Sequence, residues 1–105
     1  MANISKNFKS FKLSPSLEDA IENLGYREPT EVQKLAIPAI LSGIDLVVSA
    51  QTGTGKTAAF VLPLLDNLLR EEPLPEAVKV LILTPTRELA QQVFASVERY
   101  AANTP

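Results

Sequence analysis

The sequence predicts an α/β fold in which parallel strands are flanked by helices. Two short runs of apolar residues, 45–50 and 79–84, are rich in β-branched side chains and hydrophobic without alternation, as in strands buried on both faces. Between them, residues 56–70 carry a broad apolar surface at helical spacing. A strand, a helix and a second strand in this order form a right-handed parallel unit. We therefore expect an α/β domain.

Two helices are predicted before the first apolar run. Leu17 and Ile21 lie at helical spacing after Ser14 and Pro15, which supply a cap and a proline in the first turn. Gly25 is a natural end for this helix. The second helix is predicted to begin at Thr30 and to reach Gly43.

Each of two predicted helices contains a proline. Pro38 lies inside the second helix and should kink or split it, because an interior proline costs about 3 kcal/mol. Pro63 implies a bend in the helix over 56–70. A last helix is expected from about Arg87 to Ala101, capped by Thr86. The predicted order is two helices, strand, helix, strand, helix.

Composition narrows the class of protein. The chain has 105 residues and a net charge of −2, so charge alone does not indicate a nucleic-acid partner. It has no Cys and no His, which removes disulfides and the usual zinc ligands. No apolar stretch approaches the roughly 20 residues of a membrane span, and the N-terminus lacks a signal-peptide core. We expect one cytoplasmic domain without a membrane, disulfide or zinc partner.

Residues 50–57 have the pattern of a phosphate-binding loop between a strand and a helix. Its glycines let backbone N–H groups turn toward an anion at the positive end of a helix. Lys56 would neutralise the β- and γ-phosphates, and Thr57 would place its hydroxyl on Mg²⁺. An ordinary glycine-containing turn is the alternative. The loop consists of Ala50, Gln51, Thr52, Gly53, Thr54, Gly55, Lys56 and Thr57.

Upstream, residues 25–33 read GYREPTEVQ, which resembles the Q motif of DEAD-box RNA helicases. The resemblance implies that Phe8 stacks on adenine, that Tyr26 and Arg27 frame the base, and that Gln33 selects ATP. A Gln amide both donates and accepts, which suits the N6/N7 edge of adenine. Thr30 and Gln33 also fit the capping-box pattern, a purely structural use. The two uses can coexist.

Downstream, Pro85, Thr86 and Arg87 follow the second apolar run and resemble motif Ia of the same family. This motif implies contact with the nucleic-acid backbone, to which a helix start and a guanidinium are both suited. The alternative is that Thr86 only caps the helix and that Arg87 is solvated.

The resemblance covers residues 8–100 and implies the N-terminal portion of a RecA-like P-loop NTPase domain. Residues 1–43 would form its Q-motif helical region and 44–105 its phosphate-loop unit. The implied ligands are ATP, Mg²⁺ and RNA, and the implied activity is ATP-dependent RNA unwinding or remodelling.

The family's Asp-Glu-Ala-Asp motif and second lobe are absent from this sequence. We therefore expect a fragment that does not hydrolyse ATP efficiently. Two alternatives remain: a short nucleotide-binding or interaction module, and a different P-loop enzyme. The second of these leaves Gln33 and Arg87 unexplained.

Overall fold

The computed structural model describes residues 8–49, 55–71 and 78–105. A short 3₁₀ helix, Phe8–Phe11, comes first within these ranges, and four α-helices follow. All four α-helices are predicted by the apolar spacing of the sequence, whereas the 3₁₀ helix is not. The α-helices are α1 (Pro15–Asn23), α2 (Glu31–Leu41), α3 (Lys56–Arg70) and α4 (Arg87–Tyr100).

The helix ends follow the predicted signals. Pro15 occupies the first turn of α1, and Gly25, just beyond its end, has a φ of +80°, a conformation that glycine adopts without strain. Thr30 caps α2 and Thr86 caps α4, each accepting a hydrogen bond from a backbone N–H of the first turn. These side chains satisfy donors that a helix start otherwise leaves without a partner.

Neither internal proline interrupts its helix. Pro38 lies within α2 and Pro63 within α3, and both helices continue past them. Of the two outcomes predicted at Pro38, the split is therefore wrong, while a kink there and a bend at Pro63 stay predictions. A proline removes one backbone hydrogen bond and crowds the preceding turn, but α2 and α3 pack more extensively on each other than any other pair of described helices. This packing offsets the local cost.

The core lies around α3, whose apolar face contacts α2 and α4. Leu17 of α1, Ile37 of α2 and Leu62 of α3 have no exposed surface. Full burial of such a side chain stabilises a fold by roughly 1.5–3 kcal/mol. A smaller cluster of Val32, Ala36 and Ala59 joins the first half of α2 to α3. The beginnings of α2 and α3 are thereby held together.

The strands predicted at 45–50 and 79–84 are not formed within the described ranges. Residues 45–49 and 79–84 have no regular secondary structure there, and residue 50 lies outside the described residues. A strand exists only through hydrogen bonds to a neighbouring strand, and neither run has one in the part of the chain that the structure describes. Several of their apolar side chains are consequently exposed, with Val47 at 98% and Leu83 at 84%.

Over the described ranges, none of the helices combines the length and the apolar character needed to cross a membrane.

Candidate nucleotide-binding site

The first turn of α3 is the part of the phosphate-loop pattern that the structure describes. Gly55 occupies the N-cap position with φ +79°, in the left-handed region that favours glycine. Having no side chain, it leaves the first turn uncapped. Lys56 and Thr57 open the helix, Lys56 exposed and Thr57 half-buried. Ala50, Gln51, Thr52, Gly53 and Thr54 lie outside the described residues.

This helix start is suited to hold phosphate. The first turn of α3 contains no acidic residue, and the positive end of the helix dipole and the Lys56 ammonium both favour an anion there. The Thr57 hydroxyl is a hard oxygen of the kind that Mg²⁺ takes as a ligand beside phosphate oxygens. Donors, cation and hydroxyl are therefore adjacent at one helix end.

Gln33 joins the beginnings of α2 and α3. Its Oε1 accepts a hydrogen bond from the Thr30 N–H at 2.9 Å, and the Thr30 hydroxyl accepts one from the Gln33 N–H at 3.4 Å. The capping box is thus present. Gln33 Nε2 also donates to the Gly55 carbonyl at 3.0 Å. The side chain is only 3% exposed, so its main contacts here are with the protein itself.

Gly55 has no room for a side chain at this junction. A Cβ at position 55 would collide with Gln33 Nε2 and come within 3.3 Å of the Thr30 Cγ2 methyl. The close approach of α2 to the phosphate loop therefore depends on glycine at this position as well as on Gln33.

A separate cavity of about 390 Å³ contains the other residues that the Q-motif resemblance assigns to the base. Phe8, Tyr26 and Arg27 line it, whereas Gln33 does not. The four base-site residues are thus divided between two places: three face this cavity, and one faces Gly55. The remaining lining residues are Lys9, Glu18, Asp19, Ile21 and Glu22.

Aromatic contacts fix the wall of this cavity. The ring of Phe8, 5% exposed, lies 6.2 Å from that of Tyr26. Tyr26 also packs edge-on against Tyr100 at 6.1 Å, and the two hydroxyls are hydrogen-bonded at 3.0 Å. Burial and the bond to Tyr26 raise the pKa of Tyr100 well above its ordinary value. Tyr100 was not identified from the sequence as part of a site.

The start of α4 presents Pro85, Thr86 and Arg87 on the surface. Thr86 accepts from the Leu89 N–H at 3.1 Å, so its predicted capping role is confirmed. Over the described ranges no carboxylate lies within 4.0 Å of Arg87. An exposed guanidinium beside a helix N-terminus is available to an anionic backbone.

Comparison with known proteins places these features in context. The family model of the DEAD/DEAH box helicases matches residues 30–105. ATP-dependent RNA helicase SrmB of Haemophilus influenzae is 51% identical over 100 residues, covering 92% of this chain and 22% of that protein. DEAD-box ATP-dependent RNA helicase 28 of Oryza sativa subsp. japonica is 49% identical over 100 residues. The match covers 95% of this chain and 12% of the rice protein.

Solved structures agree with the sequence comparison. The RNA helicase Prp28 from Chaetomium thermophilum, bound to ADP, superposes with a TM-score of 0.86 and 41% sequence identity. The superposition covers 98% of this chain and 26% of the Prp28 chain. A DEAD box protein from Methanococcus jannaschii gives a TM-score of 0.80 and 41% identity over 90% of this chain and 25% of its own.

The start of α3, which carries the phosphate-loop pattern, is joined to α2, which carries the Q-motif pattern. This arrangement defines a P-loop nucleotide-binding domain of the α/β class, and the superposed structures show the same fold. The chain belongs to the DEAD/DEAH box helicase family, as the match over residues 30–105 and the identity to its DEAD-box members show. It spans 22% of the length of the Haemophilus relative.

Proposed function

We propose that this chain binds ATP with Mg²⁺ and forms the ATP-gripping part of an ATP-dependent RNA helicase. The observation that carries the proposal is the hydrogen bond from Gln33 to Gly55. It joins α2 to the start of α3, where Lys56 and Thr57 lie. The names of the relatives support ATP as the nucleotide and RNA as the substrate class.

Within this proposal the residues have distinct roles. Backbone N–H groups of the loop 50–57 and Lys56 hold the phosphates, and Thr57 holds Mg²⁺, which stabilises charge on the phosphate oxygens when bound. Tyr26, Arg27 and Phe8 accommodate the base in the neighbouring cavity. Gln33 sets the position of the loop through Gly55 and contributes to the preference for adenine.

The role of Gln33 in base selection is compatible with its observed bonds. A Gln amide has two acceptor lone pairs and two N–H donors, and the bonds to Thr30 and Gly55 use one of each. Among the bonds to described residues, one lone pair and one N–H therefore remain for the N6/N7 edge of adenine. Guanine presents two acceptors at the corresponding edge and would not match this pair.

Nucleotide competition tests this assignment. ATP and GTP are titrated against a fluorescent ADP analogue bound to the wild-type chain, Gln33→Ala and Gln33→Glu. We expect wild type to prefer ATP and both variants to lose that preference, while Gln33→Glu keeps the acceptor for the Thr30 N–H and hence the cap. An unchanged ratio of ATP to GTP affinity in folded variants would remove base selection from Gln33 and leave it the structural role.

RNA contact is assigned to the start of α4, since Arg87 and the uncovered first-turn N–H groups suit a phosphate backbone. Arg87→Ala should weaken binding of single-stranded RNA by about threefold and reduce the salt dependence by roughly 0.7 of a logarithmic unit per decade of salt. Arg99→Ala is the matched control on the same helix, where the guanidinium bonds Ser96. Equal losses in both variants, measured by fluorescence polarisation at several salt concentrations, would contradict the assignment.

A second candidate is a nucleotide-binding or interaction module without catalysis. It is favoured by the exposed apolar side chains of the runs 44–49 and 78–83. Both candidates share the ATP site. They differ in RNA binding, because the first candidate assigns RNA contact to Arg87 and the second does not.

A further inference from the structure

Tyr26 has an unusually well-defined position for a partly exposed aromatic residue. It follows Gly25, whose φ of +80° turns the chain at the end of α1. Its N–H donates to the Ile21 carbonyl at 3.1 Å, which fixes the backbone against that helix. The side chain is 37% exposed and lines the 390 Å³ cavity. Tyr26 therefore presents part of its surface to a ligand in that cavity.

The two aromatic neighbours of Tyr26 constrain its ring differently. Phe8 packs on it with an interplanar angle of 33°, a contact without a polar component. Tyr100 meets it at 64° and adds the hydroxyl–hydroxyl bond of 3.0 Å. Within the described ranges this is the only side-chain hydrogen bond recorded for Tyr26. The bond holds the phenolic end of the Tyr26 side chain and so restrains where the ring lies, whereas apolar packing has no such direction.

Tyr100 is placed to act on Tyr26 and not on a ligand. It is the last residue of α4, it is 3% exposed, and it does not line the cavity. It belongs to the core cluster that also contains Phe8 and Ile21. A buried tyrosine hydroxyl requires a hydrogen-bond partner, and Tyr26 supplies it from 74 residues away in sequence.

We propose that Tyr100 is a positioning residue for nucleobase binding: its buried hydroxyl holds the Tyr26 ring in the cavity wall in an orientation on which a flat base stacks. The inference rests on the proposed function, because it concerns the base side of the same ATP site. A side chain that is already held in place stacks on a base without first losing as much side-chain entropy. The role therefore affects ligands that carry a base and not the triphosphate alone.

Tyr100→Phe removes the hydroxyl and retains the buried ring. We expect ATP affinity of the chain to fall by about three- to tenfold, the range set by one neutral hydrogen bond, while affinity for inorganic tripolyphosphate stays unchanged. Tyr26→Phe breaks the same bond from the other side and should give a similar loss, and the double variant should be no worse than either one. Ser96→Ala, which removes a hydroxyl one turn earlier on α4, is the matched control and should change neither affinity.

Tyrosine resonances provide an independent readout, because Tyr26 and Tyr100 are the only tyrosines in the chain. In ring-labelled protein, ATP should shift the Tyr26 signal and tripolyphosphate should not, and Tyr100→Phe should reduce the ATP-induced shift. Tripolyphosphate and ATP affinities that fall together in Tyr100→Phe would overturn the inference in favour of a structural role. Unchanged ATP affinity would also overturn it. Wild-type protein that binds neither ligand would instead overturn the proposed function itself.

Discussion

Asp66 is the clearest case of a residue whose role the sequence did not reveal. Its carboxylate is 1% exposed and accepts hydrogen bonds from the Ser14 N–H and hydroxyl, both at 2.7 Å, and from Arg70 Nε at 2.6 Å. Arg70 Nη2 also donates to the Lys12 carbonyl at 2.9 Å. α3 is thereby attached to the start of α1. An Asp on the apolar face of a helix, four residues before an Arg, was the available signal.

The bonds to Asp66 make stability depend on pH. Burial by itself raises the pKa of Asp66, but the hydrogen bonds from Arg70 and Ser14 outweigh it and hold the pKa below its ordinary value. A lowered carboxyl pKa stabilises the fold above the unfolded pKa of about 3.9, and that contribution is lost as pH falls through the folded pKa.

Asp66→Asn should therefore lower the free energy of unfolding by about 1–3 kcal/mol at pH 7 and flatten its decline below about pH 4. Urea unfolding at several pH values measures both effects. Asp45→Asn, at an exposed position, is the control. Its free energy of unfolding should depend on pH in the same way as that of the wild type. A profile for Asp66→Asn that runs parallel to wild type down to pH 2 would contradict this account.

For Gln33, the local sequence pattern predicts one of its contacts and does not predict the other. The spacing of Thr30 and Gln33 predicts the capping box, and the structure contains it. The bond from Gln33 to Gly55 spans 22 positions and leaves no local signature, because it depends on how α2 packs against α3. Base selection by Gln33 remains a prediction.

Among the elements, the turn into α3 differs from the other glycine turns. Gly43 and Gly55 have the same φ of +79°, but an added Cβ at 43 would meet nothing within 4 Å, whereas at 55 it would collide with Gln33. The first position requires glycine for its backbone conformation alone. The second requires it also for the approach of α2.

This difference is testable with two matched substitutions. Gly43→Ala should cost about 1–2 kcal/mol, the price of a left-handed alanine. Gly55→Ala should cost more and should weaken ATP binding, because Gln33 and the helix start must move apart. Adding Gln33→Ala to Gly55→Ala should recover part of the excess stability loss, measured by denaturant unfolding. Equal costs for the two glycine variants would show that the junction tolerates a side chain.

The predicted helices are present, whereas the predicted strands are not formed in the described ranges, and the difference has a physical reason. A helix closes its hydrogen bonds within itself, so apolar spacing, caps such as Thr86 and stops such as Gly25 locate it from local sequence. A strand closes its bonds with another strand. The runs 45–49 and 79–84 have strand-like composition, but composition does not supply a neighbour, and within the described ranges neither run has one. Pro38 did not split α2, because the packing of α2 on α3 offsets the hydrogen bond that the proline removes.

At the scale of the whole molecule, apolar side chains of both runs lie on the surface. Val47, Leu81 and Leu83 are largely exposed, and exposed apolar segments of this kind mark surfaces that are covered by other structure. The superposed Prp28 chain is matched over 26% of its length, so that structure contains further elements beyond the matched region. The proposed ATP site, in contrast, has α2 and α3 together in these 105 residues.

The central claim is that the start of α3 binds the phosphates of ATP, and calorimetric titration of Mg²⁺–ATP into the full chain tests it most directly. Wild type is compared with Lys56→Ala and with Lys34→Ala, which removes the same charge from a surface position on α2. We expect wild type and Lys34→Ala to bind with the same affinity and Lys56→Ala to bind about tenfold or more weakly, a loss of about 1.4 kcal/mol or more. Equal affinity of the two lysine variants, or no binding by wild type, would contradict the account.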